Sequence, residues 1–313
     1  MALNTIELAS VFQTELDRKM VADSSTGWME VNDKLVQYNG GNEIKIADIV
    51  MDGLGDYDRE EGFPKGGINL KFSTHTMTQD RGRTFTLDAM DVNESNFVMT
   101  AGQVLKIFQQ TRVIPEVDSY RYSKIAALAA EAGRVSYGYT PAVDSIFETL
   151  TADIAKVQDT IGTDIPLVVT LSVVTANLLY NNDKIAKSLN VVDFTKGEVT
   201  TQLKAINNVP ILPVPSSRLK TAYVFYSGTG EEKAGGFEAA ENAQNINWII
   251  SAKEAPIAVS KQDKMRIFEP DSNINADAYK LDYRRYHDLW IPKNKLEGIW
   301  VNIRETAPDE EGE

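Results

Sequence analysis

Two alternating strands around a loop rich in glycine and aspartate constrain the fold of this chain more than any other feature. Residues 43–50 (EIKIADIV) and 68–78 (INLKFSTHTMT) alternate apolar and polar side chains, which is typical of half-buried strands. The intervening residues 51–67 have the composition of an exposed loop. A two-stranded hairpin is marginally stable in water, and this apolar stripe is too thin to form a core. The sequence therefore predicts a long excursion that needs a partner surface.

The N-terminal segment combines an amphipathic helix with an acidic bias. Residues 5–20 (TIELASVFQTELDRKM) place apolar side chains, including Phe12 and Leu16, at three- and four-residue spacings, which predicts a helical stripe that must dock. Residues 1–62 carry thirteen acidic and five basic side chains. Such a segment is either a solvated face or an arm that lies on a less acidic surface of a neighbouring copy.

The rest of the chain mixes helical and strand patterns, which predicts an α+β fold. Helices are predicted at 93–110, 114–133, 140–162 and in a short segment capped by Ser172. For the second of these, Pro115 opens the first turn and Gly133 is a natural stop. Strands are predicted at 84–91 after a turn at 79–83, then at 166–171, 207–215, 223–226, 246–250 and in long aromatic stretches of 255–303. The three prolines in 207–215 favour a sheet edge.

Composition excludes several classes of function. The 313 residues suffice for about two domains or one large one. With no Cys and only two His, the chain cannot form disulfides, cysteine zinc sites, iron–sulfur ligation or a three-histidine metal site. A pI near 4.8 argues against a broad basic face for nucleic acid. The sequence contains neither a run of about 20 apolar residues nor an N-terminal signal pattern.

No catalytic motif stands out. The chain lacks the phosphate-binding loop GxxxxGK[ST], the dinucleotide motif GxGxxG, the GxSxG elbow and HExxH. His287 precedes Asp288, but neighbours on a strand point to opposite faces, which favours a packing or interface histidine over a general base. A calcium site is the minor alternative to a solvated loop for one acidic cluster without EF-hand spacing: Asp52, Asp56, Asp58, Glu60 and Glu61. We therefore predict no catalytic residue, no cofactor and no metal.

Four stretches resemble, in order along the chain, the major capsid proteins of tailed bacteriophages, which have the HK97-type shell fold. Residues 80–91 (DRGRTFTLDAMD) look like the return of the family's extended loop into the body. Residues 113–126 (VIPEVDSYRYSKIA) look like the start of its long spine helix. Residues 208–215 (NVPILPVP) are similar to the strand after the helices of the central domain, and residues 283–299 (YRRYHDLWIPKNKLEGI) resemble the closing strands.

The resemblance implies a division of the chain and a partner set. The expected parts are an N-arm at 1–40, an extended E-loop at 41–90, a peripheral domain with the spine helix at 91–139 and 251–290, an axial domain at 140–250, and at 291–313 a closing strand of either domain with an acidic tail. The implied assembly is a homo-oligomeric shell of pentamers and hexamers around double-stranded DNA, which is bound without sequence-specific contact. A portal is a further implied partner, and a membrane is not.

The resemblance also implies a location and a route of assembly. The expected location is the virion capsid, after synthesis in the host bacterial cytoplasm. Because the arm begins within a few residues of Met1, we expect either a mature form or a separate scaffolding protein. Some family members link Lys to Asn between subunits. Lys65 and Lys71 lie on the loop, but no partner Asn is identified, so non-covalent assembly is expected.

Suspected intersubunit residues come from the arm, the loop and the arginine-containing strands and helix. They are Phe12, Leu16, Asp56, Asp58, Glu60, Glu61, Lys65, Arg81, Arg83, Arg121, Arg284 and Arg285. Arg81 and Arg83 are candidates for intersubunit ion pairs. Two other functions stay open: an encapsulin-like compartment, which shares the fold but holds protein cargo, and a soluble hydrolase or binding protein with an acidic surface.

Overall fold

The computed structural model describes residues 23–30, 36–38, 43–57, 59–60, 62–88, 97–196, 199–268, 270 and 278–307. The predicted helix at 5–20, with Phe12 and Leu16, lies outside these residues, as do Asp58, Glu61 and the chain after residue 307. Within the described ranges, no helix has the length and apolar character needed to cross a membrane.

The helices predicted at 93–110, at 114–133 and in the segment capped by Ser172 are confirmed, and the one predicted at 140–162 begins at Ile146 instead. The first two join into one long rod. In chain order the helices are α1 (Phe97–Phe108), α2 (Ile114–Glu131), α3 (Ile146–Ile161) and α4 (Val173–Tyr180). A π-helical turn of five residues, Gln109–Val113, connects α1 to α2. Pro115 lies in the first turn of α2, and Gly133 follows it with a φ of 67°, a conformation that favours glycine. Ser172 caps α4 by accepting a hydrogen bond from the Thr175 N–H at 3.0 Å.

The strands of the described chain form four sheets. In chain order they are β1 (Val36–Tyr38), β2 (Glu43–Met51), β3 (Ile68–Thr76), β4 (Gln79–Asp88), β5 (Val135–Ser136), β6 (Leu167–Ser172), β7 (Leu189–Lys196), β8 (Val199–Ile206), β9 (Val209–Val214), β10 (Tyr223–Phe225), β11 (Phe237–Ala239), β12 (Ile246–Ala252), β13 (Ile257–Phe268), β14 (Ala278–Trp290) and β15 (Ile299–Ile303). We name the sheets the excursion sheet (β1-β2-β3), the central sheet (β5-β15-β12-β6-β9-β8-β7), the base sheet (β13-β14-β4) and the aromatic hairpin (β10-β11).

The predicted excursion is confirmed. β2 and β3 pair antiparallel along their whole length, from Met51 opposite Ile68 to Glu43 opposite Thr76. β1 adds a third strand beside β2, which is too short to give a periodic signal in the sequence. One buried cluster joins the excursion to the base sheet, and its members are Ile44, Ile46, Met77, Ile257, Val259 and Trp290.

The main hydrophobic core lies between the central sheet and helices α2, α3 and α4. β6 and β12 are buried along their whole length, and Trp248 on β12 is fully enclosed. Helix α3 contributes Ile146, Leu150 and Val157 from one face, as its apolar spacing predicts. The closing strand β15 pairs antiparallel with β12 and parallel with β5, and it therefore belongs to the central sheet.

The predicted edge position of residues 207–215 is wrong. β9 lies inside the central sheet, between β6 and β8. It pairs in parallel with β6 at four positions, but β8 reaches only Val209 and Pro210. Most of β9 therefore carries a hydrogen-bonded ladder on one side only, which leaves room for its prolines.

The predicted turn at residues 79–83 is also wrong, because these residues form the first half of β4. All ten residues of β4 pair with β14, from Gln79 opposite His287 to Asp88 opposite Ala278. Gly82 marks a close approach of two backbones here, since a Cβ on it would stand 2.8 Å from the Tyr283 carbonyl oxygen.

Candidate assembly surfaces

The tip of the excursion, residues 51–68, exposes large apolar side chains. Leu54 is fully exposed at 108%, Phe63 is 86% exposed and Ile68 is 77% exposed. Met51 and Tyr57 are also well exposed. Monomeric soluble proteins seldom expose contiguous apolar surface of this kind without a contact that covers it.

The tip has a defined shape despite its glycines. Asp52 and Gly67 close its neck, because the Gly67 N–H donates to Asp52 Oδ2 at 2.7 Å and the Asp52 N–H donates to the Gly67 carbonyl at 3.2 Å. The rings of Tyr57 and Phe63 lie 5.0 Å apart. Three charged residues predicted at subunit contacts are exposed on this tip: Asp56, Glu60 and Lys65. The tip therefore offers charge beside apolar surface, a combination that can set the register of a contact.

A second feature is a buried carboxylate that anchors the N-terminal segment. Asp118 on α2 is 0% exposed and accepts hydrogen bonds from the hydroxyl groups of Ser24, Ser25 and Thr26 at 2.6–2.7 Å. Arg218 also donates to this carboxylate at 3.1 Å. Sequence reasoning missed this site, although three consecutive hydroxyl residues were a signal for a buried acceptor. The segment 24–30 is thereby fixed to its own chain.

Two suspected interface arginines are internal instead. Arg121 is 0% exposed and Arg285 is 4% exposed, and both guanidinium groups pair with Glu30, at 2.6 and 2.7 Å. Burial alone would raise the pKa of Glu30, but the charges of the two arginines, with hydrogen bonds from Arg121 and Ser260, outweigh it and lower the pKa. The prediction of intersubunit contact is therefore wrong for Arg121 and Arg285, because their partner lies 91 and 255 residues away in the same chain.

The other three arginines lie on the base sheet at the surface. Arg284 pairs with Asp80 at 2.8 Å through Nε, and this hydrogen bond lowers the pKa of Asp80. Arg81 pairs with Glu116 on α2, and Arg83 donates to the carbonyl of Lys233 at 2.9 Å. In the isolated chain each of them therefore has an internal acceptor, and contact with a neighbour stays a prediction for Arg81, Arg83 and Arg284.

His287 is a packing residue in this fold. It is 3% exposed, and its ring meets that of Tyr120 edge-on at 5.6 Å. Burial, followed by the charge of nearby arginines, lowers its pKa well below the ordinary value. The carboxylate of Asp288 accepts hydrogen bonds from the Tyr120 hydroxyl at 2.6 Å and the Thr78 N–H at 2.9 Å. A neutral imidazole without this carboxylate does not form an oriented general base.

No group of three or more His, Asp or Glu side chains within the described ranges is arranged to hold a metal ion. Of the acidic cluster considered for calcium, Asp58 and Glu61 lie outside those ranges. Asp52, a third member, already accepts the Gly67 N–H that closes the neck of the tip.

No protein-family model and no curated protein sequence matches the chain. The mature capsid of bacteriophage PhiM1 matches in fold with a TM-score of 0.54 at 12% identity, over 85% of this chain and 82% of the matched chain. The capsid of the Cyanophage P-SCSP1u matches with a TM-score of 0.54 at 10% identity, over 87% and 86%. A structure from Microbacterium phage Oxtober96 gives 0.52 at 9% identity, over 86% and 88%. The chain therefore has the HK97-like α+β fold of phage capsid proteins.

Proposed function

We propose that the chain is a major capsid protein that assembles from pentamers and hexamers into an icosahedral shell around double-stranded DNA. The observation that carries the proposal is the excursion: its base is buried in the subunit, whereas its tip exposes Leu54, Phe63 and Ile68. Closed symmetric assembly is the simplest way to cover such a surface on every copy. The fold shared with phage capsids supports this assignment.

The sheets support a division into domains close to the one expected from the sequence. We place the peripheral domain in the base sheet and the α1–α2 rod, the axial domain in the central sheet with β15, and the E-loop in the excursion sheet. Residues 79–88 then belong to the peripheral domain, because β4 pairs with β14. Since Ser24, Ser25 and Thr26 bind Asp118 and Glu30 binds Arg121 and Arg285 of the same chain, we assign contact with a neighbour to the part of the N-arm before residue 23.

The partners follow from the same proposal. We assign a separate scaffolding protein, a portal and DNA bound without sequence-specific contact as partners in the virion capsid. Shell formation requires no catalytic residue.

Electron microscopy of the purified chain, alone and with a scaffolding partner, tests the proposal. Regular closed shells are expected, and a chain that stays monomeric at high concentration under both conditions would refute it. Analysis of what the purified shells contain then distinguishes two functions of the same fold. Packaged nucleic acid supports a capsid, whereas an enriched protein cargo supports an encapsulin-like compartment.

A further inference from the structure

The loop between β10 and β11, residues 226–236, is shaped by glycines in left-handed conformations. Gly228, Gly230, Gly235 and Gly236 have φ angles of 75°, 58°, 61° and 89°. Glycine adopts these angles without the steric cost that other residues meet. The Tyr226 N–H donates to the Gly236 carbonyl at 3.0 Å, so the two ends of the loop meet. The loop is therefore a compact backbone structure at the end of the aromatic hairpin.

Arg81, on β4 of the base sheet, binds both ends of this loop. Its Nη1 donates to the Tyr226 carbonyl at 3.0 Å and its Nη2 donates to the Gly236 carbonyl at 3.1 Å. Its Nε binds the carboxylate of Glu116 on α2. The guanidinium carbon lies 5.7 Å from the centre of the Phe225 ring on β10. One planar group thus joins the base sheet, the helical rod and the hairpin.

Arg83, two residues further on β4, enters the same loop. Its Nη2 donates to the Lys233 carbonyl at 2.9 Å. Its Nη1 lies 3.3 Å from the position that a Cβ on Gly228 would take and 3.6 Å from that of Gly235. The two glycines therefore leave the space that this guanidinium occupies.

We infer that Arg81 and Arg83 are positioning residues that latch the aromatic hairpin, and with it the central sheet, to the base sheet. The hairpin leaves the central sheet after β9 and returns to it at β12, while the chain joins the central and base sheets through residues 253–256 and 291–298. Arg81 sits opposite Arg285, five residues before β14 ends at Trp290. At about 3.3 Å per residue, the latch acts about 17 Å along β14 from that connection.

The distance of the latch from the chain connection allows it to restrict the angle between the central sheet and the base sheet. A contact remote from a covalent connection restricts rotation about it more strongly than one beside it. The guanidinium fork suits this role, because its donors serve three acceptors in one plane, which a lysine ammonium cannot reproduce. The inference concerns a single subunit and does not depend on the proposed function.

Hydrogen–deuterium exchange of the unassembled subunit tests the latch through Arg81→Lys. This variant keeps the charge beside Glu116 but loses the fork, so amides of residues 226–236 should exchange at least ~10-fold faster. Arg284→Lys is the matched control, because it alters an arginine of the neighbouring strand that binds Asp80 and should leave the loop unchanged. Arg83→Ala should raise exchange near Lys233 by a smaller factor. Unchanged loop exchange in both Arg81→Lys and Arg83→Ala would overturn the inference.

A distance measurement tests whether Arg81 holds the aromatic hairpin at a fixed distance from the base sheet. Because the chain has no Cys, spin labels can be placed without background at Val224→Cys on the hairpin and Arg266→Cys on the base sheet, both exposed positions. A narrow distance distribution is expected in the otherwise native chain, and a broadened or shifted one in Arg81→Lys. A distribution that is equally narrow and centred at the same distance in Arg81→Lys would show that Arg81 does not hold the hairpin to the base sheet, and would overturn the inference.

Discussion

Replacing Leu54 and Phe63 together by serine should abolish shell assembly and leave the subunit folded. Both side chains stand almost free of their own chain, at 108% and 86% exposure. Exposed substitutions usually change the free energy of unfolding by no more than about 0.5 kcal/mol. The urea concentration at the midpoint of unfolding should therefore be the same for the L54S/F63S subunit as for the native subunit.

The expected loss appears only between subunits. Burying one leucine or phenylalanine side chain contributes about 1.5–3 kcal/mol, so the pair contributes about 3–6 kcal/mol for each copy that joins the shell. At about 1.4 kcal/mol per tenfold change, this corresponds to a 100- to 10,000-fold weaker contact. The lower end of that range is expected, because part of the free energy of burial is offset by the entropy lost and the polar groups desolvated on association.

Light scattering against subunit concentration, with electron microscopy of the products, measures this change. The variant should need at least about 100 times more subunit to assemble. The conservative variant Phe63→Leu keeps most of the apolar surface and should assemble close to normally. Deletion of Gly53 to Gly67 should give the same folded, assembly-deficient subunit. Normal assembly of L54S/F63S, or its unfolding as an isolated subunit by more than about 1 kcal/mol, would refute the reasoning.

Three further predictions concern the subunit itself. Asp118→Ala leaves Arg218 and three hydroxyl groups without their buried acceptor and should cost about 3–5 kcal/mol in urea unfolding, and a loss below about 1 kcal/mol would contradict the anchor. Because burial lowers the pKa of His287, the unfolded chain binds a proton more readily, near its ordinary pKa of about 6.5. Stability should therefore fall as the pH drops below that value, and His287→Phe should flatten the fall; an identical pH profile in the variant would count against it. Gly82→Ala forces a Cβ to within 2.8 Å of the Tyr283 carbonyl and should lower stability by about 1–3 kcal/mol, measured by thermal unfolding.

Local sequence patterns were sufficient to predict the helices and strands whose conformation depends on nearby residues. The alternation in 43–50 and 68–78 predicted β2 and β3, since each strand shows one apolar face whatever it packs against. Pro115 and Gly133 predicted the bounds of α2 for the same local reason.

The failures share a tertiary cause. Gly82 looks like a turn residue in sequence, yet it serves a close approach to Tyr283, about 200 residues away by chain position. The prolines of β9 suggest an edge, but incomplete pairing with β8 tolerates them inside the sheet. In both cases the deciding neighbour lies on a strand that no local pattern identifies.

The same limit applied to the candidate interface. Arg81, Arg121 and Arg285 are predicted at subunit contacts, but each has an acceptor far along its own chain. The partner of Arg121 and Arg285 is Glu30, and Arg81 reaches a carbonyl 145 residues away. Sequence identified the charge correctly and could not assign the contact, because the fold decides which carboxylate or carbonyl comes close.

The surface available for contact between copies is therefore smaller than the sequence suggests. The predicted interface arginines of the base sheet and α2 bind groups of their own chain. The tip is shaped by the hydrogen bonds between Asp52 and Gly67 and by the Tyr57–Phe63 pair, and it exposes Leu54 and Ile68. A subunit built in this way can fold before it assembles, since the buried clusters of the described residues include no side chain of the tip. The subunit cannot cover the tip by itself, because Met51 at the start of the tip lies five residues, about 17 Å, along β2 from Ile46 in the buried cluster. The apolar surface that a shell requires is therefore held away from the subunit that bears it and within reach of another.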